Sequence, residues 1–317
     1  MAQSSIQHLH IDPFSGVAGD MFLGALVDLG ADPAAVQAAL EPLDLSPAWR
    51  LSTQRVERHG IGAVDLKVEV DDAPGHEHAH SHSHDHTHDH AHTHDHAHTH
   101  DHTHDHAHTH DHGHAHTHDH HHHEHVGYSA IVGMIDRLAA DHGLAPRARE
   151  RAHRVVTLLG KAEARVHQKP LEAIHFHEVG AVDSIVDMLG TVIALEQLGI
   201  ETLSCGPLPM GRGFVRCAHG LMPLPAPATA YLLEGLPTIG VQRTGELVTP
   251  TGAALVAGLC ESFGPPPAMT MAGVGYGAGD REDPDVPNLL RVMRGTRGTA
   301  KAGGAPPLPV AADAADS

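Results

Sequence analysis

Residues 76–125 limit what this chain can fold into more than any other stretch. They repeat the unit DHAHTH with small variations and hold 27 of the 36 histidines, nine acids and no lysine or arginine. So little apolar surface cannot offset the entropy of ordering a chain, so the stretch is expected to be disordered. The folded body must then be built from the two flanks, with the tract inserted in a loop between them. Histidine at this density points to binding, buffering or storage of Ni2+, Zn2+ or Cu2+. It does not choose among them, because imidazole follows the common affinity order of the divalent metals. Binding is expected to collapse as pH falls through the ordinary imidazole range, about 6.5.

The 317 residues carry a formal charge of −19, and the body outside the tract stays acidic, with thirty acids against twenty bases. That balance argues against nucleic acid as a partner. The three cysteines, Cys205, Cys217 and Cys260, form no CxxC pair, so neither a disulfide framework nor a structural zinc site is expected. A reducing, cytoplasmic setting fits this usage. No signal peptide and no membrane span are expected, since the start lacks a basic region with a long apolar core and no apolar run is long enough. Aromatic residues make up 3% of the chain, so the core must be built from Ala, Leu, Val and Ile.

The chemistry concentrates in IHFHEVGAVDSIVDM, residues 174–188. His175 and His177 are two apart, which in a strand points both imidazoles to one face, and Glu178 follows. After Gly180 the apolar spacing becomes helical through Val182, Ile185, Val186, Leu189 and Ile193. Asp183 and Asp187 fall four apart on that helix and share a face. Asp183 could equally cap the helix, a reading that suits Asp187 less well. QHLHIDPFSG echoes the pattern with His8, His10 and Asp12 in alternation, and Asp20 follows at the start of an apolar run. Two such elements with matching acids suit a borderline divalent metal held by neutral imidazole and carboxylate. The alternative for each pair is a polar strand face. His8, His10, His175 and His177 are the expected ligands. Asp12, Asp20, Glu178, Asp183 and Asp187 are the candidates for ligation and for a general base.

The remaining chain reads as mixed α+β, with helices and short sheets in two sub-domains. Residues 1–73 make an N-terminal sub-domain: strand 6–12, helix 21–29 closed by Gly30, a helix opened by Asp32-Pro33, and a hairpin of 49–57 with 61–70. The tract occupies 74–126. Residues 127–294 hold helices at 129–140 and 146–166, the histidine strand with its helix, a strand at 202–205 and a last strand at 288–293. Residues 295–317 read as a disordered tail. Between them lies a Pro/Gly-dense loop whose reactive-looking members are Arg212 and His219. Arg212 could meet a phosphate or simply be an exposed loop arginine. Thr249 and Thr251 precede a helix and could serve an anion or cap that helix. GVGYGAGDRED has glycine at alternate positions, including Gly275 and Gly277, which could admit a nucleotide or form a flexible turn.

Five motifs in this order, HLHIDPFSGVAGDMFLGALVDLG, AIHFHEVGAVDSIVDMLG, AHGLMPLPAPATAYLLEG, ELVTPTGAAL and GVGYGAGDRE, resemble the LarC-type nickel-insertion proteins, as does a His-rich insertion between the first two. The resemblance covers about residues 6–294 outside the tract. It implies insertion of Ni2+ into pyridinium-3,5-bisthiocarboxylic acid mononucleotide, forming the nickel-pincer nucleotide of lactate racemase and related enzymes. It also implies dependence on CTP with Mn2+ or Mg2+, a C-terminal CTP-binding and assembly domain, and an apo-racemase-like recipient. No such C-terminal domain follows PNLLRVMRG, so a separate or frameshift-joined partner is expected. Metal storage without chemistry and a metal-dependent hydrolase are the competing readings.

Overall fold

The computed structural model describes residues 6–70, 126–176, 182–217 and 219–298. His177, Glu178, the histidine tract and the tail beyond Gly298 lie outside the described residues.

The elements follow the apolar pattern closely. Strand β1 (Ile6–Asp12) leads into α1 (Gly19–Asp28) and α2 (Pro33–Leu40), then the hairpin of β2 (Trp49–Arg58) and β3 (Ile61–Val70). Asp32 caps α2 as its position suggests, accepting the Ala34 N–H at 3.0 Å. Helices α3 (Tyr128–Asp141) and α4 (Pro146–His167) precede α5 (Val182–Gln197). Then come β4 (Thr202–Cys205), β5 (Leu208–Arg212), the short hairpin of β6 (Phe214–Cys217) and β7 (Gly220–Pro223), and α6 (Pro227–Leu232). The chain closes with β8 (Thr238–Thr244), α7 (Pro250–Leu259), β9 (Ser262–Phe263), β10 (Thr270–Ala278) and β11 (Leu289–Arg297). The architecture is mixed α+β, as the pattern of elements suggests.

A seven-stranded sheet in the order β2-β3-β10-β11-β1-β4-β9 organises the fold. Strands β3, β10, β1, β4 and β9 run in one direction, and β2 and β11 run against them. Chain segments on both sides of the tract thus enter one sheet. Helix α1 lies across β3, β10 and β11, and α5 packs behind it with α2. Gly275 and Gly277 make the approach of α1 possible: a Cβ on either would run into the carbonyl oxygens of Ala25 and Met21 respectively. Leu9, Ile11, Phe22, Leu26, Val292 and Leu195 belong to the resulting core, each with no exposed surface.

Two local expectations change. The stretch around His175 is not a strand: it makes an isolated bridge with Gly127, where buried Ile174 and Phe176 anchor it to the helical layer and leave His175 exposed. The last strand runs past Met293 to Arg297, because Gly295, Thr296 and Arg297 pair with His8, Gln7 and Ile6 of β1.

Candidate functional site

Strands that run parallel end on the same edge of a sheet, and the loops leaving that carboxyl edge are where open sheets place their chemistry. Here the loop 13–18 after β1 is tied to two other motif stretches. Gly16 holds a φ of 130°, and a side chain there would collide with the Leu247 carbonyl. The next residue, Val17, donates its N–H to Leu247 O at 2.8 Å and accepts from Thr249 N at 3.1 Å. Arg243 joins this loop to the one after β10, donating to Ser15 Oγ and to Asp283 Oδ2, both at 2.9 Å. Asp283 in turn accepts the N–H groups of Asp285 and Val286. Asp12, at the end of β1, is ion-paired with Arg291.

The acids of the first and second motifs meet at the start of α1. Gly19 packs so closely on Asp187 that an added Cβ would stand 2.7 Å from its Oδ2. Ala18, the N-cap of α1, offers no side-chain cap, and the Asp20 amide donates to Asp187 instead, so the first turn of α1 faces a buried carboxyl group. Asp187 is 9% exposed and its Oδ1 has no hydrogen-bond partner among the described residues. Burial, followed by the Asp20 and Asp183 charges, holds its carboxyl well above the usual carboxylate range. Burial likewise pushes Asp20 up to about 6, against the pull of the Met21 N–H and the Lys67 ammonium. Lys67 pairs with Asp65 at 3.0 Å and with Asp280. Asp183, one turn before Asp187, is exposed and accepts the Ser184 N–H at 2.6 Å.

The histidines of β1 do share a face, but they are already engaged. His8 bonds Thr202 Oγ1 through Nδ1 and Ser204 Oγ through Nε2, each at 2.8 Å, and the same Ser204 Oγ lies 2.8 Å from His10 Nδ1. Both rings are buried, which holds His10 below the usual imidazole range and His8 at about 4, with Arg297 and His10 adding to the effect on His8. They are neutral at physiological pH. A metal at His8 would have to displace one of these hydroxyls. His175 lies beside Gly127, and among the described residues no three His, Cys, Asp or Glu side chains are grouped to hold a metal ion. A centre joining His8, His10 and His175 is therefore not formed by the described side chains.

The four residues considered for a nucleotide are also placed. Arg212 is exposed and hydrogen-bonded to Gln242. Gly275 and Gly277 lie under α1. Thr251 bonds Thr249 at 3.0 Å, while Thr249 caps α7 by accepting the Gly252 N–H at 3.1 Å.

A cavity of about 400 Å³ opens between the end of α4, the β6–β7 hairpin and the starts of α6 and α7. Glu246 and Pro250 line it, and between them lie Leu247 and Thr249, which bond the 13–18 loop. His167, Glu163, Cys217 and His219 also line the wall. Sequence reasoning singled out His219 but not His167, which closes an ordinary amphipathic helix. The Glu163/His167 spacing of four on α4 was the available signal.

The nickel insertion protein family model matches residues 9–306. A protein of Staphylococcus epidermidis (strain ATCC 12228 / FDA PCI 1200), named pyridinium-3,5-bisthiocarboxylic acid mononucleotide nickel insertion protein, is 39% identical over 286 residues, 90% of this chain and 58% of its own. One of the same name from Geobacillus kaustophilus (strain HTA426) is 38% identical over 90% of this chain and 59% of its own. A Geobacter sp. (strain M21) relative named for nickel insertion is 42% identical over 92% of this chain and 62% of its own. The chain thus spans about three fifths of the length of these curated relatives. No solved structure matches. No helix among the described residues is long and apolar enough to cross a membrane. On a match that runs through both flanks of the tract, and on relatives near 40% identity over nine tenths of its length, the chain belongs to the nickel insertion protein family.

Proposed function

We propose that the chain carries the nickel-handling part of an insertase that places Ni2+ into pyridinium-3,5-bisthiocarboxylic acid mononucleotide, yielding the nickel-pincer nucleotide used by lactate racemase-like enzymes. Family membership supports the metal, and the names of the two nucleotide-specific relatives support the substrate. The observation that carries the chemistry is the acid pair of half-buried Asp20 and buried Asp187 beside the 13–18 loop.

Forming a nickel–carbon bond on the pyridinium ring requires the ring proton to leave. Asp20, held at about 6, is largely ionised at neutral pH yet more basic than an ordinary carboxylate, which suits a general base. Asp187 positions the start of α1, and with it Asp20. Lys67 keeps Asp20 from rising further. His8 and His10 lock β1 onto β4 through Ser204 and so hold the 13–18 loop in register. Imidazole and carboxylate release Ni2+ readily, which a delivery protein needs, whereas a four-thiolate cage would retain it.

CTP, with Mn2+ or Mg2+, enters this reading through a LarC-type C-terminal region rather than through Arg212, Thr251, Gly275 or Gly277. The test is direct. The purified chain is mixed with the bisthiolated nucleotide, Ni2+ and CTP, with and without the C-terminal region of a relative. The nickel nucleotide is sought by mass spectrometry and by activation of an apo-racemase. Product that depends on this chain and falls with Asp20→Asn is expected; no product with the C-terminal region present would defeat the proposal.

A further inference from the structure

We infer that the cavity at the end of α4 is a divalent transition-metal site, with His167 and His219 as ligands and Glu163 completing the approach. The ring centres of His167 and His219 are 4.9 Å apart and tilted by 44°. Two imidazoles bound to one ion at about 2.1 Å place their centres about 4.5 Å apart at a right angle and about 5.2 Å apart at the tetrahedral angle. The observed spacing falls between these limits. Glu163 Oε2 lies 3.4 Å from His167 Nε2. Donors at about 2.1 Å from one ion are about 3.0 Å apart at a right angle and about 3.4 Å apart at the tetrahedral angle. Both spacings are those of side chains that share one ion, although the three do not stand as a finished ligand set, and each would exchange part of its present contacts for the metal.

Both rings face a cavity of about 400 Å³, so an ion held by two imidazoles keeps coordination positions open towards space for an organic ligand. The nickel-insertion reading supplies the identity of the metal, while the imidazole pair stands without it. A two-imidazole site is weak and exchangeable, as a site that passes its ion on must be.

Cys217, which lines the same cavity, makes the site readable in the full chain despite the histidine tract. Iodoacetamide labelling of Cys217 is followed by peptide mass spectrometry, with Ni2+ added beyond the capacity of the tract. At free Ni2+ about ten times the dissociation constant, the empty fraction falls to about one in eleven, so labelling should slow about tenfold. In His167→Ala and His219→Ala the slowing should vanish, with circular dichroism confirming the fold, and Glu163→Gln should weaken it. No slowing in the wild type, or equal slowing in the histidine variants, overturns the inference. Protection without nickel-nucleotide product would refute the insertion reading and leave the site standing; product from the wild type without protection of Cys217 would do the reverse.

Discussion

Asp20→Asn should stabilise the protein at alkaline pH while disabling its chemistry. Asp20 rises from an ordinary 3.8 to about 6 because burial disfavours its charge. A carboxyl whose folded-state affinity is raised contributes stability below the unfolded value, and that contribution is lost as pH climbs through the folded one. Above both values, at pH 8, the native state holds an ionised Asp20 at a cost of about 3 kcal/mol, taking about 1.4 kcal/mol per tenfold change in proton affinity. At pH 5 the native carboxyl is mostly protonated, and the cost is about 1.6 kcal/mol. Asparagine keeps an oxygen for the Met21 N–H, which Asp20 accepts at 2.8 Å, and it cannot ionise. Urea unfolding of both proteins at pH 5 and pH 8 should therefore show the variant's advantage growing by about 1.4 kcal/mol between them. Titration of the histidine tract cancels in the difference between the two proteins. Nickel insertion by the variant should fall by about 10²- to 10⁴-fold, the usual worth of a general base. An advantage independent of pH, or one that shrinks as pH rises, would refute the buried-charge argument.

Three further outcomes follow from the same structure. Ser204→Ala strands His8 Nε2 and His10 Nδ1 without their shared hydroxyl, and should cost about 1–3 kcal/mol in urea unfolding. Gly277→Ala forces a methyl against the Met21 carbonyl, so α1 must lift from β10. A loss of about 1–3 kcal/mol is expected by thermal unfolding, and an unchanged midpoint would show that α1 is less tightly seated. Deleting residues 76–125 should lower the nickel bound per chain in equilibrium dialysis yet leave insertion intact at ample Ni2+; loss of insertion under those conditions would show that the tract itself takes part in insertion.

Local chemistry was legible where neighbours in sequence decide it. Asp32 capping α2, Thr249 capping α7, the 3.6-residue pattern of α5 and the hairpin of β2 and β3 depend on residues a few positions apart, and they lie where the spacing put them. The family, too, was readable from five ordered motifs. The same-face rule placed His8 and His10 together, but it could not say what they would face. That depended on β4, whose Thr202 and Ser204 lie 194 residues away from the rings they bond.

The sequence by itself settled which residues carry charge, which faces of α1 and α5 are apolar, and that imidazole and carboxylate dominate the available donors. Tertiary structure alone decided their use. It buried Asp187 against Gly19, set Gly275 and Gly277 under a helix rather than around a nucleotide, and drew His167 and His219 to 4.9 Å across 52 positions of chain. Burial and long-range register set the proton affinity and reach of a side chain, and neither is encoded by its immediate neighbours.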